Sequence, residues 1–130
     1  MLKKINKNFA AKFLLLFSLL GIIFHIFVIL RVVPYTIVWG GRADDKNYLI
    51  LELVSLLVLA TASFIIAGRA KYINVPKLDK FFYFGCWCLF AVFILNTLGN
   101  IVSPVPIERY FFSIITFVIA LLMLRLISKK

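Results

Sequence analysis

The chain has 130 residues, 64% of them hydrophobic and 15% charged, with a formal net charge of +10. A soluble domain averages about half apolar and a quarter charged, and a chain this short cannot fold so much apolar surface away from water. A soluble globular fold is therefore excluded, and the lipid bilayer is the expected partner of most of the surface. The basic residues fall between long apolar runs instead of forming one stripe, so they read as topology signals; no nucleic acid partner is expected.

Four apolar runs follow in order. The first, Phe13 to Val33, covers about 31 Å at 1.5 Å per residue, close to the roughly 30 Å of a hydrocarbon core. Its basic start (Lys3, Lys4, Lys7, Lys12) resembles a signal peptide, but its length and the lack of a small-x-small site before Pro34 predict a retained anchor. Pro34 ends this helix. A polar connection, Tyr35 to Lys46, then carries Trp39, Gly40, Gly41, Arg42, Asp44 and Asp45. The second run is Asn47 to Gly68, followed by a basic loop, Arg69 to Lys80, with Pro76 inside it. The third is Phe81 to Ile101, closed by the turn Ser103-Pro104-Val105-Pro106, and the fourth is Ile107 to Ile127. With short connections, the expectation is a single domain over 1–130: an all-α membrane protein forming an up-down-up-down antiparallel four-helix bundle, with helices near 13–33, 47–68, 81–101 and 107–127.

Eleven lysines and arginines lie at the two termini and in the loop between the second and third runs, against four (Arg31, Arg42, Lys46, Arg109) on the other side. The positive-inside rule then predicts both termini in the cytoplasm of a multi-pass protein of the cell membrane, a bacterial inner membrane in particular.

Small and weakly polar residues mark packed faces in lipid. The expected stripes are Ser18, Gly21 and His25; Glu52, Ser55, Leu59 and Ala62; Gly85, Cys88, Val92, Asn96 and Gly99; and Ser113, Thr116 and Ala120. Cys86 and Cys88, two apart, point to nearly opposite faces, so they neither pair nor chelate and read as small core residues.

Ionisable residues within a span are costly and mark functional candidates. By depth, His25, Glu52, Asn96 and Asn100, with Arg31 at the end of the first helix and Glu108 and Arg109 at the start of the fourth, gather in the outer half of the bundle. This predicts a polar cavity open to the outside and closed below by aliphatic and aromatic packing. Glu52 is its expected charged anchor, paired with Arg31; His25, Asn96 and Asn100 form its walls. Tyr35, Trp39, Arg42 and the acids of the first connection form its lid. Each also has a plainer reading. Arg31 can snorkel to headgroups, Tyr35 and Trp39 can be interfacial aromatics, and the asparagines can hydrogen-bond between helices. Glu108, at the start of the fourth helix, suits the helix dipole without a further role.

One histidine and no Cys-x-x-Cys motif predict no metal and no cofactor, and no phosphate loop or activated nucleophile points to catalysis. The expected function is binding or transport of a small polar or ionic ligand. Transport would require a homo-oligomer, because four helices enclose little room. An accessory subunit docking a membrane-protein partner, or a lipid-binding or lipid-modifying enzyme with a cavity open sideways, are the alternatives.

Overall fold

The computed structural model describes residues 5–128, and every regular element among them is helical. α1 spans Lys7–Ile29, α2 Tyr48–Arg69, α3 Asp79–Ile101 and α4 Ser113–Ile127, the last entered through a π-helical turn over Glu108–Phe112. Counting the turns that lead into α3 and α4, four helices are long and apolar enough to cross a membrane. The 23 residues of α1 rise about 34 Å. These are the helices of a multi-pass membrane protein, and large apolar side chains such as Leu57, Phe84, Leu95 and Ile114 face outward along them.

The helix ends differ from those the hydropathy predicts, for local reasons. α1 begins at Lys7 because the Asn6 side chain accepts the Asn8 N–H at 2.8 Å, an N-cap that extends the helix back through Lys12. It stops at Ile29, before Val33, because Arg31 takes a left-handed φ of 58°. The Arg31 N–H then reaches the Val28 carbonyl at 3.0 Å and the Val32 N–H reaches Phe27 at 2.9 Å, a Schellman closure. α2 ends the same way: Lys71 has φ 65°, with Lys71 N–H on Gly68 and Tyr72 N–H on Ala67. Both of these left-handed residues are cations that reach an acid, Arg31 to Asp45 at 2.9 Å and Lys71 to Asp79 at 2.5 Å.

α1 packs on α2 and α3 on α4, with lighter contact between α2 and α3 and the lightest between α1 and α4. At one end, hereafter the terminal end, Arg125 Nε donates to the Ile5 carbonyl at 2.6 Å and Arg69 Nη2 to the Ile127 carbonyl at 3.2 Å, while the Tyr72 hydroxyl donates to Asn8. The dry core lies toward this end, built from Ala11, Leu14, Ala62, Ile66, Cys86, Leu89, Met123 and Leu126 among others. At the other, loop end, the connection 30–47 folds over the helices.

The expected stripes of α1, α2 and α4 are the inward faces: Ser18, Glu52, Ala62, Ser113, Thr116 and Ala120 are buried. α3 departs from expectation. Its buried residues are Phe82, Cys86, Leu89, Thr97 and Asn100, while Cys88, Val92 and Asn96 are exposed. The helix is turned by one residue, about 100°. Its phase is set by large side chains seated against glycine, Phe82 on Gly68 of α2 and Ile65 of α2 on its own Gly85. Cys86 and Cys88 do point apart and are both free, but only Cys86 is a core residue. Hydroxyls inside the spans are satisfied locally: those of Ser55, Thr61, Ser63 and Thr97 donate to the carbonyl four residues back.

Two glycines should therefore respond in opposite ways. A Cβ at Gly68 would run into the Phe82 ring, whereas one at Gly99 would meet nothing within 4 Å. Gly68→Ala is expected to cost about 1–3 kcal/mol by overpacking. Gly99→Ala should be neutral or stabilising by up to about 1 kcal/mol through helix propensity. Thermal unfolding of the two variants in detergent measures the difference.

Candidate functional site

The loop end is organised by two buried carboxylates. Glu52, one turn into α2, has 0% of its surface exposed. A carboxylate in that position needs both oxygens occupied. His25 Nδ1, from α1, lies 2.5 Å from Oε2, so one proton sits between imidazole and carboxylate. The Trp39 indole N–H donates to Oε1 at 3.0 Å. The next residue serves the second carboxylate: the Gly40 N–H lies 3.0 Å from both oxygens of Glu108, which also accepts from the Ser103 hydroxyl. Ser103 is itself fixed, its Oγ accepting the Val105 N–H at 3.1 Å and its carbonyl accepting Arg109 Nε at 2.9 Å.

Presenting the Trp39 indole to α2 and the Gly40 amide to α4 needs an unusual backbone. Trp39, Gly40 and Gly41 all have positive φ, 56°, 64° and 69°, a left-handed turn across three residues. The glycines accept this freely. For Trp39 it costs about 1–2 kcal/mol, offset by the charge-assisted bond to Glu52. Buried Val38 and Ala43 anchor the segment on either side.

Beneath this turn is a cavity of about 830 Å³ between the four helices. Toward the loop end it is lined by His25, Trp39, Gly40, Arg42, Asn96, Asn100, Ser103 and Glu108. Toward the middle of the bundle it is lined by Phe17, Leu20, Leu59, Phe112, Ile115 and Ile119. A buried polar chain runs along its α3–α4 wall: the Thr97 hydroxyl lies 2.9 Å from that of Thr116, and Asn100 Nδ2 approaches the same oxygen at 3.5 Å. The Asn96 amide makes no hydrogen bond to any described residue, and Arg42 has no ion-pair partner among them.

Five of the seven residues singled out in the sequence, His25, Trp39, Arg42, Asn96 and Asn100, thus line one cavity. Glu52 lies behind its wall, joined to it through His25 and Trp39. Arg31 does not belong to the site. The expected Arg31–Glu52 pair is replaced by Arg31–Asp45, with Arg31 Nε also 3.2 Å from the Tyr48 hydroxyl. Arg31 stands beyond the end of α1, where water solvates it, so it has no need of a buried acid. The Tyr48 hydrogen bond, the Tyr48 and Asp45 charges and Tyr35 all push its pKa above the ordinary value. Tyr35 stacks on Tyr48 with ring centroids 5.0 Å apart, so neither it nor Asp44 and Asp45 covers the cavity.

Ser103 is a site residue that the sequence does not single out, and Glu108, expected at the outer end, is given no part in the site by the sequence. The helix-dipole account of Glu108 is insufficient, because its carboxylate is buried and holds the turn. The signal available was the pairing of Gly40-Gly41 in one polar connection with a Ser-Pro-x-Pro-x-Glu segment in the other. The chain matches no family model, no curated protein and no solved structure.

Chemically the site offers a hydrogen-bonded imidazole–carboxylate pair (His25–Glu52), donors unpaired among the described residues (Arg42, Asn96) and a largely apolar interior. No serine, threonine or cysteine among the described residues hydrogen-bonds to His25. No group of three or more His, Cys, Asp or Glu among them is placed to hold a metal ion.

The two latches on the turn are separable. Trp39→Phe leaves one buried Glu52 oxygen without a donor and is expected to lower stability by about 1–3 kcal/mol. Glu108→Ala should instead free the Gly40 amide, raising hydrogen exchange across residues 38–43 while the His25–Glu52 contact persists. Exchange followed by mass spectrometry, with Tyr35→Phe as a control that touches neither carboxylate, checks both expectations.

Proposed function

We propose that this protein is an antiparallel up-down-up-down bundle with both termini in the cytoplasm, and that it binds a small molecule carrying a polar or ionic group in the loop-end cavity, as the binding step of a transport-type cycle. The cavity then opens toward the outside of the cell, under the Trp39-Gly40-Gly41 turn. The orientation is supported by the bias of eleven basic residues to four. The observation that carries the function is that two donors face this one cavity unpaired among the described residues: the Arg42 guanidinium, without an ion pair, and the Asn96 amide, about one and a half turns in from the loop end of α3, without a hydrogen bond. The size supports the same reading, since small-molecule cavities run to roughly 300–1,000 Å³ with a few converging polar groups.

Two measurements test this. In a Cys86→Ser/Cys88→Ser background, Lys46→Cys should react with a membrane-impermeant maleimide in intact cells and Lys77→Cys should not; the reverse pattern overturns the orientation. Gly99→Leu should narrow the polar end of the cavity, beside Asn96 and Asn100, without a backbone clash. Native mass spectrometry after mild detergent extraction is expected to find a bound small molecule on the wild type and none on this variant. Identical ligand-free spectra for both would remove the binding reading.

A further inference from the structure

We infer that the ligand of this cavity is a single-chain amphiphile with an anionic head, such as a long-chain carboxylate, which enters from the bilayer through the seam between α1 and α4. This rests on the cavity being the ligand site, as proposed above, and adds the chemistry of what fills it.

The lining has two zones. A small hydrophilic solute needs polar contacts all round, yet the deeper half is mostly carbon, Phe17, Leu20, Leu59, Phe112, Ile115 and Ile119, and its two hydroxyls, Ser55 and Thr116, already donate to carbonyls of their own helices. That half favours a ligand with an apolar body, since each buried methylene contributes roughly 0.8 kcal/mol. The upper half fixes the head. Its carboxylates are already occupied, Glu52 by His25 and Trp39, Glu108 by Gly40 and Ser103. The groups left open among the described residues are the Arg42 guanidinium, which makes no ion pair with them, and the Asn96 amide, which makes no hydrogen bond to them. A guanidinium offers a planar fork of N–H donors that fits a carboxylate or phosphate. The free chemistry of the polar end therefore suits an anion.

The route follows from which wall is thin. Of the four contacts that join helices consecutive around the bundle, that of α1 with α4 is the lightest. Two residues of this seam, Leu20 on α1 and Phe111 on the π turn, line the cavity while being 50% and 58% exposed. At the loop end, by contrast, the mouth lies under the latched turn. An acyl chain can thus slide in sideways with its head travelling at the level of Arg42, without leaving lipid.

Trp39 and Trp87 are the two tryptophans. Trp87→Phe removes the one on α3 that faces the exterior and leaves Trp39 in the cavity wall as sole reporter. The experiment titrates this variant, in nanodiscs, with a brominated long-chain fatty acid, with its methyl ester, and with acetate and inorganic phosphate. The acid should quench Trp39 saturably and at least about tenfold more tightly than the ester, the worth of a charge-assisted hydrogen bond. Adding Arg42→Gln should bring the acid to the level of the ester, and adding Gly99→Leu should abolish saturable quenching by both. Equal affinity for acid and ester with Arg42 present overturns the anionic head. If acetate or phosphate displaces nothing yet changes Trp39 emission, and the long chains do not bind, the amphiphile falls while the cavity remains a site. Quenching by every probe that is unchanged in Gly99→Leu reports partition into the bilayer and removes the cavity reading as well. Arg42 is exposed, so Arg42→Gln is expected to fold and to keep the comparison of acid with ester interpretable even if the glycine variant does not.

Discussion

A carboxylate with no exposed surface, set in the wall of an apolar helix bundle, has to be supplied with hydrogen bonds from other parts of the chain. Glu52 takes one from α1 through His25 and one from the first connection through Trp39. The second bond shapes the loop end. Bringing an indole from a loop back against the second helix requires the chain to turn sharply, and the left-handed run Trp39-Gly40-Gly41 is how it does so. That turn leaves the Gly40 amide facing the start of the fourth helix, where Glu108 receives it. Two charges that would each be prohibitive alone thereby tie α1, α2, the turn and the π-helical entry to α4 into one hydrogen-bonded unit.

The two ends of the molecule are held by different physics. The terminal end is dispersion and close packing, with alanines, leucines and Met123 filling the interior and arginines closing it onto backbone carbonyls. The loop end is held by hydrogen bonds to carboxylates, which fix positions without filling space. Gly99 and the π-helical turn leave room there as well. A cavity is the natural result of tying helices together at their rim with long-reaching polar groups, and π turns recur at functional sites for a related reason, since they displace side chains from regular packing.

Some errors in reading the sequence come from choices made between distant residues. Arg31 and Glu52 have complementary charge and similar depth, yet Arg31 sits past a Schellman closure in water, and a histidine one and a half turns earlier reaches the acid instead. Glu108 reads as an ordinary helix-start acid until the Gly40 amide is found beside it. The rotation of α3 has the same origin. Its small residues are spread around the helix, so its own pattern has weak phase, and the fits of Phe82 onto Gly68 and of Ile65 onto Gly85 between α2 and α3 decide which face turns inward.

By itself the sequence determined the number and length of the spans and the gathering of polar residues toward one end. Both are properties of hydropathy and of 1.5 Å per residue, which act locally along the chain. It also placed His25, Trp39, Arg42, Asn96 and Asn100 at depths where a single cavity can include them. Only the tertiary structure decided which donor meets which carboxylate, how α3 is turned, and that the space enclosed has an apolar half. Those depend on packing between helices and on a left-handed turn that no local preference of tryptophan predicts.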